Sequence, residues 1–253
     1  MSEPVVAIVV AAGLGLRYGG TKPKPTLKIL GRAVVGIAVE GLAAGGCTHV
    51  VVVINGKLSK LYRAALRGAP IPVITTPGGD TRQQSVQRGL DAIREHEELA
   101  KAKVVLVHDA VRPLMPAYVI ENVIEAVRGG AVAVAPALPM ADSIRELSDD
   151  GESNHAIDRS RLRAIQTPQG FDKDVLVDSH REMAARGMDF TDDVTCCERN
   201  GHPVTLVAGS KMGIKITEPA DLSMARALWL TRASLGHHSG RRFTRWREKL
   251  RRA

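Results

Sequence analysis

Along the first 135 residues, short runs rich in Val and Ile alternate with longer stretches in which apolar residues recur every three or four positions. The short runs at 5–10, 50–54, 71–75, 104–108 and 131–135 are apolar at nearly every position, the pattern of strands buried on both faces. The stretches 34–44, 58–67, 81–96 and 117–127 carry helical spacing. Such alternation calls for parallel strands joined by right-handed helical crossovers. It predicts a three-layer α/β/α, Rossmann-like fold around a mostly parallel sheet.

The rhythm changes after Pro136. Residues 138–165 are mostly polar, and Asp149-Asp150-Gly151 is turn chemistry, which predicts a β-arm over about 138–166 projecting from the body. Beyond it the pattern predicts helices at 173–186 and 192–200, strands at 204–208 and 213–217, and a helix over 219–229. Pro219 falls in that helix's first turn, where a missing N–H does no harm. The expected domain is 1–233. Residues 234–253 read as a separate tail behind the flexible joint Gly236, Ser239 and Gly240.

Charge changes this picture little. Of the net +8 on 253 residues, +6 lies in 233–253, carried by Arg241, Arg242, Arg245, Arg247, Lys249, Arg251 and Arg252 against Glu248. The body is therefore nearly balanced, and nucleic-acid binding is not expected of it. Phe243, Trp246 and Leu250 put a short apolar stripe on the basic tail, a membrane-surface or partner-binding pattern. A solvated tail, or one packed on its own body, is the simpler expectation. No apolar run approaches the roughly 18–20 residues that span a bilayer, and no basic leader precedes residue 5; a cytoplasmic protein is expected. Three cysteines, two of them adjacent (Cys196, Cys197), fit neither a disulfide framework nor a zinc site and read as reduced and structural.

The segment Val9-Val10-Ala11-Ala12-Gly13-Leu14-Gly15-Leu16-Arg17-Tyr18-Gly19-Gly20-Thr21-Lys22-Pro23-Lys24 carries the first chemistry. A strand empties into small residues whose N–H groups can approach an anion, and Arg17 and Lys24 add positive charge. A Walker A loop is excluded, because Gly20 is followed by Thr21-Lys22 in the wrong order. The dinucleotide fingerprint fails at Tyr18, where it needs glycine. Further along, Val107-His108-Asp109-Ala110-Val111-Arg112-Pro113 ends a predicted strand on a carboxylate, where a doubly wound sheet binds ligands and where Asp109 can hold Mg²⁺. His108 beside it reads as structural rather than as a base.

These two segments, with Gly78-Gly79-Asp80-Thr81-Arg82-Gln83-Gln84-Ser85-Val86, Gln166-Thr167-Pro168-Gln169-Gly170-Phe171, Thr191-Asp192-Asp193 and Gly213-Ile214-Lys215-Ile216-Thr217, resemble the 2-C-methyl-D-erythritol 4-phosphate cytidylyltransferase family in order and spacing from about residue 5 to residue 230. The resemblance implies transfer of CMP from CTP to a polyol phosphate, with Mg²⁺ as cofactor. It places the triphosphate at Ala11, Ala12, Gly13 and Gly15, and the cytosine at Gly79, Asp80 and Ser85. It also implies catalytic charge on Arg17, Lys24 and Lys215, the metal on Asp109, and the acceptor against Arg112, Ser143, Arg159, Thr167 and Thr191. The family's arm interlocks with that of a second subunit, which implies a homodimer whose sites borrow arm residues.

Two departures stand out: Ser143 where the family has threonine, and Pro25 after Lys24, which leads us to expect Lys24 in extended geometry. Asp192 and Asp193 read as helix N-terminal carboxylates behind a Thr191 cap. A ribitol 5-phosphate cytidylyltransferase shares most of these motifs and stays open as an alternative acceptor specificity. Guanylyltransferases of molybdenum cofactor assembly are disfavoured by the Thr-Pro-Gln and His-Asp segments. A nucleic-acid- or membrane-binding protein acting through the tail is the reading from a different class.

Overall fold

A computed structural model describes residues 3–13 and 23–235, the last four of these by backbone alone. In chain order the elements are β1 (Val5–Val10), β2 (Lys28–Ile29), β3 (Arg32–Ala33), α1 (Val34–Ala44), β4 (His49–Ile54), α2 (Ser59–Ala65), β5 (Val73–Pro77), α3 (Arg82–Glu95), β6 (Val104–Asp109) and α4 (Ala117–Arg128). Then come β7 (Ala133–Pro139), β8 (Ile144–Leu147), β9 (Asn154–Ile157), β10 (Arg163–Ile165), β11 (Gln169–Asp172), α5 (Lys173–Ala185), α6 (Asp193–Arg199), β12 (Val204–Ala208) and α7 (Pro219–Leu235).

Strand alternation sorts the core into two faces. Val5, Ala7 and Val9 of β1 pack with Val35, Val39 and Leu42 of α1 and with Val119, Ile120 and Val123 of α4. Val6 and Ile8 point the other way, to Val86, Leu90 and Ile93 of α3, Leu176 of α5 and Val194 of α6. This is the three-layer α/β/α arrangement that the apolar runs predict. The main sheet runs β5-β4-β1-β6-β11-β7, with β12 on the far edge of β7 and β10 continuing along the β11 side of β7. The pairs β1–β4, β1–β6, β4–β5 and β7–β12 are parallel; β11 is antiparallel to both β6 and β7. A third cluster, Ile29, Val34, Ile37, Leu114, Ile216, Leu222 and Ala225, docks α7 and the β2–β3 hairpin.

Several expectations need correction. Residues 213–217 form no strand: Ile216 N–H reaches the Val111 carbonyl, beside the turn that follows β6, and there is no ladder to join. The stretch 58–67 is shorter as a helix, because the Asn55 side chain accepts from Lys57 N–H and sets a 3-10 turn over Gly56–Leu58 before α2 begins. Expected at 71–75, β5 runs Val73–Pro77; it is an edge strand, where proline needs no ladder donor. Expected at 131–135, β7 runs Ala133–Pro139.

Of 138–166, both ends lie in the main sheet, where Leu138 and Pro139 pair with Ala164 and Arg163. The part that stands off is the hairpin β8–β9, closed by the 148–153 turn. The cap of α6 is Asp192, whose carboxylate accepts from Thr195 N–H, and not Thr191. Lys24 is not extended either. It opens a 3-10 turn, Lys24–Thr26, in which Pro25 falls in the first turn, where its missing N–H is not called on.

Candidate active site

Three segments come together at the carboxyl edge of the sheet because their strands are neighbours in register. Val10 lies opposite Asp109, so the small residues 11–13 leave the sheet beside the end of β6. Ala11 N–H donates to the Val53 carbonyl, and Gly78 N–H to that of Ile54, which brings the loop after β5 alongside. Ala11 is further held by the Tyr62 hydroxyl, which donates to its carbonyl at 2.5 Å.

The 78–80 loop is drawn tight by its own helix. Thr81 caps α3 by accepting from Gln84 N–H; Ser85 Oγ accepts from Gly79 N–H and donates to the Thr81 carbonyl, and Gln84 Oε1 accepts from Asp80 N–H. A Cβ on Gly78 would come within 2.5 Å of Ala12 Cβ, and one on Gly79 within 2.4 Å of Gln84 Cβ. Glycine is thus required at 78 for the loop to press against Ala12 and at 79 for it to close on the first turn of α3. Ser85 is buried, with both functions of its hydroxyl spent inside the loop, so it shapes the loop.

Asp109 is the electrostatic centre. Lys215 Nζ lies 2.9 Å from Oδ2, Arg112 Nε 3.7 Å from Oδ2, and Arg82 Nε 3.8 Å from Oδ1. Burial pushes the carboxyl up, but Lys215, Arg82 and Arg112 outweigh it, and the acid is held below its ordinary range. Its backbone N–H donates to Thr167 Oγ1 (3.0 Å), which lies 3.0 Å from His108 Nδ1, while His108 Nε2 lies 3.1 Å from the Arg112 carbonyl. A carbonyl only accepts, so Nε2 carries the proton and Nδ1 accepts from the threonine hydroxyl. Burial pushes His108 down to about 4. A neutral histidine with both nitrogens engaged is a structural part, not a base. Arg112 Nη1 donates to the Gly213 carbonyl at 2.8 Å, which fastens the 213–217 segment to this edge. Lys24 Nζ reaches the Thr217 carbonyl at 3.4 Å, so Lys24 meets the far end of the segment whose middle residue is Lys215.

A second group lies behind Asp109. Asp193, fully buried at the start of α6, takes Arg82 Nη2 at 2.7 Å on Oδ2 and His180 Nε2 at 3.0 Å on Oδ1. The Asp193 and Val194 N–H groups both donate to Gln169 Oε1. Burial pushes this carboxyl up, and Arg82 and His180 more than offset it. Asp193 is thus a buried ion partner rather than a plain helix-terminal charge. Arg82, His180 and Gln169 had no role assigned from sequence. Arg82 and Asp193 sit inside recognised motifs, but nothing in the chain order tells that they touch.

The structure therefore brings together Ala11, Ala12, Gly13, Gly79, Asp80, Ser85, Asp109, Arg112, Thr167 and Lys215, with Lys24 at the end of the 213–217 segment. Thr191 is exposed just before α6. Ser143 and Arg159 are exposed on the arm, where Arg159 Nη1 donates to the Ala141 carbonyl. Gly15 and Arg17 lie outside the described residues, as does the tail from 236. Among the described residues no three His, Cys, Asp or Glu side chains cluster as a metal set. Mg²⁺ commonly takes only one or two carboxylates and completes its shell with phosphates and water, so the ionised Asp109 fits a Mg²⁺ shared with a triphosphate. The cysteines are free and buried, and burial pushes their thiols up to about 12. No helix of the described residues is long and apolar enough to cross a membrane.

A doubly wound sheet binds nucleotides at this edge, and a buried carboxylate ringed by cations beside a glycine-tight loop makes the class an α/β nucleotidyltransferase. The IspD family model, described as 2-C-methyl-D-erythritol 4-phosphate cytidylyltransferase, matches residues 5–231. The enzyme of that name from Streptomyces avermitilis is 38% identical over 233 residues, covering 88% of this chain and 90% of the relative. That from Saccharopolyspora erythraea is 41% identical over 226 residues, covering 88% and 98%. The crystal structure of 4-diphosphocytidyl-2C-methyl-D-erythritol synthase from Anaerococcus prevotii superposes with a TM-score of 0.77 at 27% identity, covering 90% of this chain and 99% of that one. The chain belongs to the 2-C-methyl-D-erythritol 4-phosphate cytidylyltransferase family.

Proposed function

We infer that the protein transfers CMP from CTP to 2-C-methyl-D-erythritol 4-phosphate, releasing pyrophosphate and forming 4-diphosphocytidyl-2-C-methyl-D-erythritol, a step of non-mevalonate isoprenoid synthesis, as a Mg²⁺-dependent homodimer of the cytoplasm. The observation that carries this reading is the meeting of Lys215, Arg112 and Asp109 beside the 78–80 loop, in a chain of this family.

An oxygen of the acceptor phosphate attacks the CTP α-phosphorus in line. The new P–O bond forms as the bond to the bridging oxygen of the leaving pyrophosphate breaks. Two anions must meet while charge grows on the non-bridging oxygens, so positioning and cations dominate over proton transfer. Lys24 faces the phosphates of CTP, to which the family resemblance adds the charge of Arg17; Lys215, Arg112 and Thr191 hold the acceptor phosphate, and Thr167, whose hydroxyl proton goes to His108 Nδ1, braces Asp109 instead. The backbone of Gly79 and the side chain of Asp80 meet the cytosine edge, with Ser85 fixing the loop. A carbonyl opposite the N4 amino group excludes uracil, since a site built on such polar contacts discriminates strongly. Asp109 would hold the Mg²⁺, which when bound neutralises the phosphates and orients them. The homodimer reading draws support from the arm: Ser143 and Arg159 are exposed on it, and Leu147 is 65% exposed.

Pyrophosphate release with CTP, Mg²⁺ and methylerythritol 4-phosphate tests this, with UTP, ATP and GTP as nucleotide controls and ribitol 5-phosphate as the competing acceptor. Turnover confined to CTP and the first acceptor is expected. Preference for ribitol phosphate would keep the chemistry and change the substrate, and silence with both would overturn the function.

A further inference from the structure

We propose that Arg82 is a positioning residue of this site: by bridging Asp109 and Asp193 it orients the metal-side carboxylate and ties it to the segment that carries Thr191. The inference rests on the cytidylyltransferase reading and adds to it a residue that touches no substrate.

The geometry is a closed ring. Asp109 N–H donates to Thr167 Oγ1, and two residues along the same backbone Gln169 Oε1 accepts from Asp193 N–H. Asp193 Oδ2 takes Arg82 Nη2 at 2.7 Å, and Arg82 Nε returns to Asp109 Oδ1 at 3.8 Å. Each partner of the guanidinium is anchored from behind, Asp193 by His180 and Gln169, Asp109 by Lys215 and Thr167. Arg82 itself opens α3, directly after the 78–80 loop and its Thr81 cap. One planar group therefore connects the base-side loop, the metal-side carboxylate and the start of α6. A lysine, a point charge, could not serve both carboxylates in this fork.

The two contacts differ in kind. The 2.7 Å bond to Asp193 is a charge-assisted hydrogen bond, whereas 3.8 Å to Asp109 Oδ1 is beyond hydrogen-bond length. Arg82 thus holds Asp109 by its field while occupying none of that oxygen's lone pairs, which stay available to a cation. Outer partners of a metal-ligating carboxylate orient it in this way, and their loss typically lowers metal affinity or activity by about 10- to 100-fold.

A purely structural ion pair must be distinguished from a positioning one. Arg82→Gln alone strands the buried Asp193 charge, so the decisive variant is Arg82→Gln with Asp193→Asn, which removes both charges together. Its thermal midpoint, turnover, and CTP affinity by calorimetry with Mg²⁺ and with EDTA are measured beside the wild type and Arg82→Lys. Positioning predicts that the double variant recovers the stability lost in Arg82→Gln. It should still show about 10- to 100-fold lower kcat and a similar loss of the gain in CTP affinity that Mg²⁺ confers, with metal-free affinity little changed. Arg82→Lys should recover only part of that gain. A double variant with wild-type turnover and a wild-type Mg²⁺ effect would overturn the proposal and leave a structural ion pair. A wild type in which Mg²⁺ has no effect on CTP binding would instead strike the metal reading of Asp109, and with it the part assigned to Arg82.

Discussion

The edge around Asp109 and the arm β8–β9 both carry residues assigned to the acceptor, and they are built in opposite ways. At the edge, residues more than a hundred positions apart are locked together: Arg82 to Asp193, Arg112 to Gly213, Asp109 to Lys215. On the arm, Arg145 bonds Asn154, Ser148 bonds Asp150 and Ser153, and Arg159 bonds Ala141, all within the arm's own residues. The edge is a preorganised charge cluster, paid for by burial of the carboxylates. The arm is a solvent-facing hairpin that presents groups without fixing them against the body. Edge substitutions should therefore strike turnover and stability, and arm substitutions should strike acceptor use alone.

The largest effect is expected at the cations of the edge. Lys215→Ala and Lys24→Ala each remove a positive charge where negative charge grows in the transition state, and by analogy with loss of one electrostatic donor each should lower kcat by about 10²- to 10³-fold. Steady-state pyrophosphate release checks it. Near-normal kcat in both variants would reduce the Lys215–Asp109 pair to a structural contact and erase the contrast with the arm.

Stability should distinguish the two regions next. His108 titrates near its ordinary 6.5 in the unfolded chain but is pushed down to about 4 in the fold by burial. Between those values the unfolded state binds a proton that the folded state refuses. The stability from keeping His108 neutral is therefore present in full above about 6.5 and is lost as pH falls toward about 4, at about 1.4 kcal/mol per pH unit. Urea unfolding across that window should show this slope, and His108→Asn should remove most of it. An unchanged slope in the variant would mean that His108 is not the buried neutral group that braces Thr167.

The same contrast explains what could be read in the chain. Where a face is continuous and apolar, as in Val5–Val10 and Val34–Ala44, pattern and structure agree to the residue. Gln169-Gly170-Phe171-Asp172 hides a buried antiparallel strand because its polar residues serve neighbours: Gln169 holds the start of α6, and Asp172 caps α5. Ile214 and Ile216 alternate like a strand, yet their side chains pack in the cluster that docks α7 and Ile216 N–H meets the Val111 carbonyl rather than a ladder. In the site, Asp109, Lys215, Thr167 and Arg112 are legible through family motifs. The Arg82–Asp193 bond is not, since a buried ion pair spanning 111 positions looks in sequence like two solvated charges.

The smallest effects belong to the arm, and they decide whose site it serves. Arg159→Ala should lower kcat/KM for the acceptor about 10- to 100-fold, the worth of a charged hydrogen bond. Ser143→Ala should lower it only about fivefold, and Ser143→Thr, which keeps the hydroxyl, hardly at all. Both side chains lie exposed, so stability in all three variants should stay within about 0.5 kcal/mol. If each arm serves the opposite subunit, mixing Arg159→Ala with Lys215→Ala protein creates heterodimers with one intact site, made of one subunit's Lys215 and the other's Arg159. Random exchange between subunits should then restore about a quarter of wild-type activity, well above either parent. If the arm folds back on its own site, every site in the mixture still lacks one of the two residues and mixing restores nothing. That result would make the arm an extension of the edge after all, joined to it only when the acceptor binds.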